Sequence, residues 1–268
     1  MPEAKKPGKY SRIIEELFFR HFNPKRPRKS FCFERSEIEE LAAKDGIKNL
    51  GDLVYSFRFR ASLPNSVLET QPDDMEWIIR LAGPSRYEFQ LFRRPNIDPD
   101  PSMQVIKIPD ATPEIILGNA QSDEQAILAK IRYNRLLDLF LKIVAYSLQN
   151  HLRTQVDDLG QIEIDEVYVG ASRGGSQYIV PVQAKTGRDK VSVVQTLQDR
   201  EFCRSRFPDL TPRLVSVKAM PNDVLAMFEL VVEEDRIAVA EQRHYKLVRA
   251  AEITSADLRG YQQRESDS

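Results

Sequence analysis

Two segments near the middle of the chain have the apolar pattern of buried strands. Residues 161–170 (QIEIDEVYVG) and 178–185 (YIVPVQAK) carry Ile162, Ile164, Val167, Ile179, Val180 and Val182, and the Gly174-Gly175 pair between them is a hairpin signal. Upstream, Ile127, Ile131, Leu136, Leu137, Phe140, Ile143, Val144 and Leu148 recur on one broad face, which predicts a long helix over 123–153. A second helix is predicted over 190–207 from Val191, Val194, Leu197 and Phe202, and strands over 214–219, 228–232 and 237–240.

The first third reads differently. Ser36 as N-cap with Glu39 three residues on predicts a capped helix that ends at Gly46. A second helix follows over 49–60, and then a hairpin, 77–82 and 87–94, turning through Gly83-Pro84-Ser85-Arg86. Two helices about a glycine turn, followed by a hairpin, outline a winged helix-turn-helix. Pro95, Pro99, Pro101, Pro109 and Pro113 mark a boundary, giving a DNA-binding unit over 1–120 and a second domain over 121–268. The expected fold class is α+β or α/β, a mixed sheet flanked by helices with a smaller N-terminal helical domain. The polar tail after Arg259 is expected to fray.

Composition narrows the class. With 268 residues, 29% charged and 41% hydrophobic, the chain is that of a globular protein with ample core. No run of about 18 apolar residues occurs, so no membrane span is expected, and no apolar stretch follows MPEAKKPGKY, so no secretory leader is expected. Cys32 and Cys203 stand alone, which points to a reducing, cytoplasmic setting without disulfides or a zinc site. The net charge is only −1, yet residues 1–35 hold ten Lys or Arg against four Glu, a local charge of +6. Lys25, Arg26, Arg28 and Lys29 are therefore candidates for phosphate contact in a basic arm, with Asn49, Arg58 and Arg60 on the second helix as candidates for reading bases.

Chemistry concentrates on the two central strands. Glu163 and Asp165 lie two apart and share a side of one strand; Gln183 and Lys185 do so on the next. Antiparallel pairing would bring two carboxylates, an amide oxygen and an ammonium together, and such groups on apolar strands require a partner or a metal. Hard oxygen ligands beside a lysine suit Mg²⁺-assisted phosphodiester hydrolysis. His151 reads as a cap at the end of the predicted helix, although it or Gln149 could approach the site. His21, His151 and His244 are too scattered for a zinc centre, and neither a phosphate-cradling Gly-rich loop nor a Gly-x-Ser-x-Gly elbow is present. Glu163 with Asp165 as a glycosidase pair would leave Lys185 and the basic arm without a role.

The order helix, strand with Asp165, hairpin, strand with Gln183-Ala184-Lys185, helix resembles the PD-(D/E)XK nuclease superfamily, which includes many type II restriction endonucleases. The resemblance spans about residues 123–207. It implies that Asp165 holds Mg²⁺, that Gln183 occupies the variable acidic position and that Lys185 orients water. Two departures are Ile164 in place of Pro and the neutral Gln183, whose missing charge Glu163 is expected to supply. The function so implied is Mg²⁺-dependent cleavage of duplex DNA by a restriction or defence endonuclease, with duplex DNA as partner and a homodimer as the expected assembly. A catalytically inactive nuclease-fold DNA-binding regulator and an RNA-processing nuclease are the alternatives.

Overall fold

A computed structural model describes residues 8–59, 61–93, 97–156, 160–187, 189, 191–233 and 236–266, with side chains described to 263. The chain begins with α1 (Lys9–His21), β1 (Ser30–Glu34), α2 (Arg35–Asp45), α3 (Leu50–Phe59) and α4 (Asn65–Leu68). A hairpin of β2 (Met75–Gly83) and β3 (Arg86–Arg93) follows, and β1, β3 and β2 form an antiparallel sheet in that order. The basic arm is thus largely structured. Ile13, Ile14, Leu17 and Phe18 recur at helical spacing and bury one face of α1. The Phe18 ring lies 4.9–5.3 Å from those of Phe22, Phe31, Trp77 and Phe89, which seats α1 on the small sheet. α2 is capped two residues earlier than Ser36 and Glu39 suggest. β1 runs straight into the helix, so Glu34 is the N-cap, and its N–H donates to Glu37 Oε1 at 2.8 Å.

The second part contains β4 (Val105–Pro109), α5 (Glu114–Leu117), α6 (Asp123–Tyr133), α7 (Leu136–Leu141), β5 (Val144–Val156), β6 (Gly160–Ala171) and β7 (Gln177–Lys185). It continues with α8 (Val193–Arg206), β8 (Thr211–Pro212), β9 (Leu214–Met220), β10 (Val224–Val232), β11 (Ile237–Val248) and α9 (Ser255–Ser266). The sheet runs β4-β11-β10-β9-β7-β6-β5, with β8 beside β7; β7 is parallel to β8 and β9, and β4 to β11, while the other pairs are antiparallel. The molecule is a mixed α+β protein with a mixed sheet flanked by helices, and among the described residues no helix is long and apolar enough to cross a membrane.

Three expectations are corrected. The single helix over 123–153 is α6, α7 and then an edge strand. Arg135 and Lys142 adopt left-handed φ of 50° and 55°, which interrupts the helix twice, and β5 pairs along β6. The boundary at 120 is crossed, since β4 is a strand of the larger sheet. The tail is held rather than frayed: Lys107 pairs with Asp257 at 3.0 Å, and its N–H donates to the Tyr261 hydroxyl at 3.0 Å.

Side chains alternate across the sheet. Val180, Val182, Ala184, Val215, Val217 and Met227 face α6 and α7, whereas Ile179, Leu214, Ala226, Phe228 and Leu230 face α8. The back of the small sheet, through Ile78 and Phe92, joins the α8 cluster. α8 is therefore enclosed between two sheets, which is why polar Thr196, Gln198 and Asp199 are buried beside its apolar residues.

Candidate functional site

The β6–β7 ladder runs from Ala171 opposite Gln177 to Glu166 opposite Val182. The next residue on β6 is Asp165, and its Oδ2 accepts from the Ala184 N–H at 2.8 Å, so a side chain takes over where backbone pairing ends. The pleat changes phase here. Ile162 and Ile164 share the α8 face with Val167, which places one extra residue between 164 and 167. Opposite, β5 carries an irregularity between Ser147 and Gln149, and His151 lies between the pairs Asn150–Glu166 and Leu152–Ile164 with φ 46°. His151 is an exposed strand residue across from Asp165, not the helix cap expected of it.

Charge at this strand end is crowded. Burial pushes the Asp165 carboxyl above the usual carboxylate range, and Glu163 adds to the rise. The Ala184 N–H, Lys185 and His151 pull it back. Glu124, in the first turn of α6, is likewise raised by burial and then by Asp165, with Lys185 opposing. Two half-buried carboxylates thus disturb one another beside one ammonium, a concentration of perturbed charge at one strand end. Glu124 escapes sequence reasoning because nothing local to 122–126 refers to Asp165.

Gln183 turns the other way, towards α8. Its Nε2 donates to Asp199 Oδ1 and Oδ2 at 3.2 and 3.1 Å, and to the Glu163 carbonyl at 3.4 Å. Asp199 is 3% exposed, and burial pushes its carboxyl up to about 8; Asp165 adds to the rise, while the Gln183 N–H and Lys185 oppose it. Gln183 Oε1 and the Oγ of Ser216, its register partner on β9, are buried without hydrogen-bond partners among the described residues. A cavity of about 10 Å³ lined by Gln183, Lys185, Thr196, Asp199 and Ser216 adjoins them, room for about one water. Asp199 was also missed by sequence reasoning, since an acid in a helix reads as surface.

Glu163 stays on the Asp165 side of β6, as alternation predicts, but it is exposed. Its Oε1 accepts from Arg153 Nε and Nη2 at 3.2 and 3.1 Å. Its carboxylate is committed to Arg153 rather than to Gln183. Among the described residues, no three His, Cys, Asp or Glu side chains converge to hold a metal. The hard oxygens beside one another are those of Asp165 and Glu124. Gln183, expected to share a metal with Asp165, instead adjoins an α8-side cavity that neither carboxylate lines. Mg²⁺ commonly takes one or two protein carboxylates and completes its shell with water and phosphate, which is the donor set that Asp165 and Glu124 offer.

In the N-terminal part, Lys25, Arg26, Arg28 and Lys29 are exposed between α1 and β1. Other cations of the arm are neutralised: Arg12 by Asp45, Arg20 by Glu16 and Glu40, Arg35 by Glu39. Asn49 is exposed, but its Oδ1 accepts from the Asp52 N–H at 3.1 Å, so it caps α3. Arg58 lies 4.7 Å from the Phe59 ring centre, and burial lowers its pKa to about 10. Its Nε and Nη2 are buried and, among the described residues, without partners, so the structure does not present these atoms to a base edge. Arg60 lies outside the described residues. No family model matches the sequence, and neither a curated protein nor a solved structure matches the chain.

Proposed function

We propose that the chain is a Mg²⁺-dependent endonuclease of duplex DNA, restriction-like in its catalytic half. The observation that carries this reading is Asp165, docked on the Ala184 N–H where β6 leaves β7, with Glu124 and Lys185 around it. Asp165 and Glu124 would hold the ion. When bound, the ion would polarise the phosphodiester and ease ionisation of a water. Lys185 offsets charge that grows on the phosphate, and at the end of β7 it is fixed close to Asp165 without being ion-paired away from it. The N-terminal part supports the DNA side of the reading. Its order α1-β1-α2-α3-α4 followed by the β2–β3 hairpin supports a winged-helix reading, and Lys25, Arg26, Arg28 and Lys29, without ion pairs among the described residues, offer four cations for phosphates.

One observation favours a second reading. The Gln183 amide is already bonded to Asp199, which suits a catalytically silent DNA-binding regulator on the same framework. A plasmid assay separates the two. The parent protein is expected to cut duplex DNA with Mg²⁺ and to stop with EDTA. Asp165→Asn is expected to bind DNA as the parent does and to cut at least about 100-fold more slowly, in line with loss of a principal charge-stabilising group. Binding without cutting by the parent would select the regulator, and preferential cutting of duplex RNA would reassign the substrate.

A further inference from the structure

The chain has three histidines, and two of them are accounted for. His21 lies 2.7 Å from Glu37, and His244 is buried beside Gln242. His151 is the exception. It is exposed, makes no ion pair among the described residues, and holds a left-handed φ of 46° inside a strand. A side chain in that backbone region is strained, and it persists where its surroundings over-determine it. They do so here. Asn150 is bonded to Arg132 of α6, Leu152 packs with Ile162 and Ile164 on the α8 face, and Arg153 is paired with Glu163. The chain must turn at 151, and the turn delivers the ring to the α6 side, where its Nε2 lies 3.5 Å from Gln125 Nε2. Gln125 is the neighbour of Glu124, and Asp165 is the β6 residue across from His151. His151 accordingly opposes the rise of both carboxyls, although it bonds to neither among the described residues.

An imidazole held beside two carboxylates without bonding to either is open to a third group, and in a phosphodiester site that group is the phosphate. We propose that His151 is a catalytic residue that donates a ring N–H to a non-bridging oxygen of the scissile phosphate. No proton is transferred in this contact. The hydrogen bond strengthens as negative charge grows on that oxygen in the transition state. β5, β6 and β7 are successive strands, so His151 approaches Asp165 from one side and Lys185 from the other. The role rests on the reading of Asp165 and Glu124 as the Mg²⁺ ligands of a nuclease. It also gives the strain a purpose: glycine or asparagine would hold the turn at 151 with less strain, but neither carries an imidazole.

The test uses the full chain and His151→Gly, which suits the left-handed backbone and removes only the ring. The variant is expected to melt at or above the temperature of the parent, to bind duplex DNA as the parent does, and to cut it with Mg²⁺ about 100-fold more slowly in kcat. Should His151→Gly fail to fold, His151→Asn, which also tolerates that backbone, takes its place. A second readout does not depend on cutting. The imidazole signal of His151 in the proton NMR spectrum is identified by its loss in the variant. Adding a short DNA duplex to Asp165→Asn, which is expected to bind without cutting, should shift that signal and leave the signal of buried His244 in place. If Asp165→Asn stops cutting while His151→Gly cuts like the parent, the nuclease reading stands and the role of His151 is overturned. A His151 signal that stays in place while DNA binds overturns it as well. A parent that binds DNA but never cuts it removes the nuclease reading, and this role with it.

Discussion

Two carboxylates are buried on opposite faces of the same end of the sheet, and they are satisfied in opposite ways. Glu166, on the α6 face, is fully buried. Its Oε1 accepts from Arg132 Nε at 2.9 Å and from Ser147 Oγ at 2.6 Å, and Arg132 Nη2 lies 2.8 Å from the same oxygen. Arg132 Nη2 in turn donates to Asn150 Oδ1 at 2.6 Å, which ties α6 to β5 as well as to β6. Asp199, on the α8 face, has only the Gln183 amide among the described residues. A buried charge met by a cation is a joint: it fixes the angle of α6, and with it the placement of Glu124 near Asp165. A buried carboxyl met only by a neutral amide, behind a strand end where the ladder has opened, holds its proton instead.

The largest effect that this contrast predicts lies in the joint. Arg132→Leu leaves Glu166 buried and uncompensated, and is expected to destabilise the fold by about 3–5 kcal/mol in urea unfolding. Burial works to lower the Arg132 pKa, but the charge and hydrogen bond of Glu166 outweigh it and hold the guanidinium protonated. Arg132→Lys is expected to recover only part of the loss, because a single ammonium cannot reach Glu166 and Asn150 as the planar fork does. A loss below about 1 kcal/mol, the scale of an exposed pair, would mean that Glu166 does not depend on Arg132.

Next comes the pH dependence of Asp199. Its carboxyl is pushed from 3.8 up to about 8 in the folded chain, with burial the chief cause. Between those values the folded form keeps a proton that the unfolded form has released. Stability is therefore greatest at the acid side of the window and declines as pH rises towards about 8. Asp199→Asn removes that decline, so the variant is expected to gain on the parent by on the order of 4 kcal/mol between about pH 5 and about pH 8. Parallel stability curves for the two proteins would show that a cation already balances Asp199 in the fold.

The central hairpin was legible because its signals are local: apolar strands on both sides of Gly174-Gly175 specify β6 and β7 to within about a residue, and Asp165, Gln183 and Lys185 with them. β5 was not. Its polar outer positions, Ser147, Gln149, Asn150, Arg153 and Gln155, are those of a sheet edge, and Val144 and Leu148 fall in phase with the helix before it by coincidence. α1 was legible in Ile13, Ile14, Leu17 and Phe18 but was hidden behind the charge count of the arm. The completion of the site was not legible at all. Glu124 and Asp199 come from helices on opposite faces of the sheet, and only tertiary packing brings them to Asp165 and Gln183. The sequence also cannot show which way an amide points, which is what decides the role of Gln183.

The smallest effect falls at Glu163, and it tests the assignment of charge most directly. Alternation makes Glu163 the natural complement to Gln183, in which case Glu163→Gln would weaken Mg²⁺ binding severely. The side chain instead forms an exposed pair with Arg153, 3.1 Å apart with side-chain exposures of 43% and 68%, and such a pair contributes about 0–1 kcal/mol. Glu163→Gln is therefore expected to leave urea stability within about that range. Its influence on the site is electrostatic and adverse, since Glu163 helps to raise the Asp165 carboxyl. Removing its charge lets Asp165 ionise at slightly lower pH, so Mg²⁺ binding should be unchanged at neutral pH and marginally stronger in mild acid. A calorimetric loss comparable to that of Asp165→Asn would require Glu163 to leave Arg153 and enter the site, and the missing charge of position 183 would then come from β6.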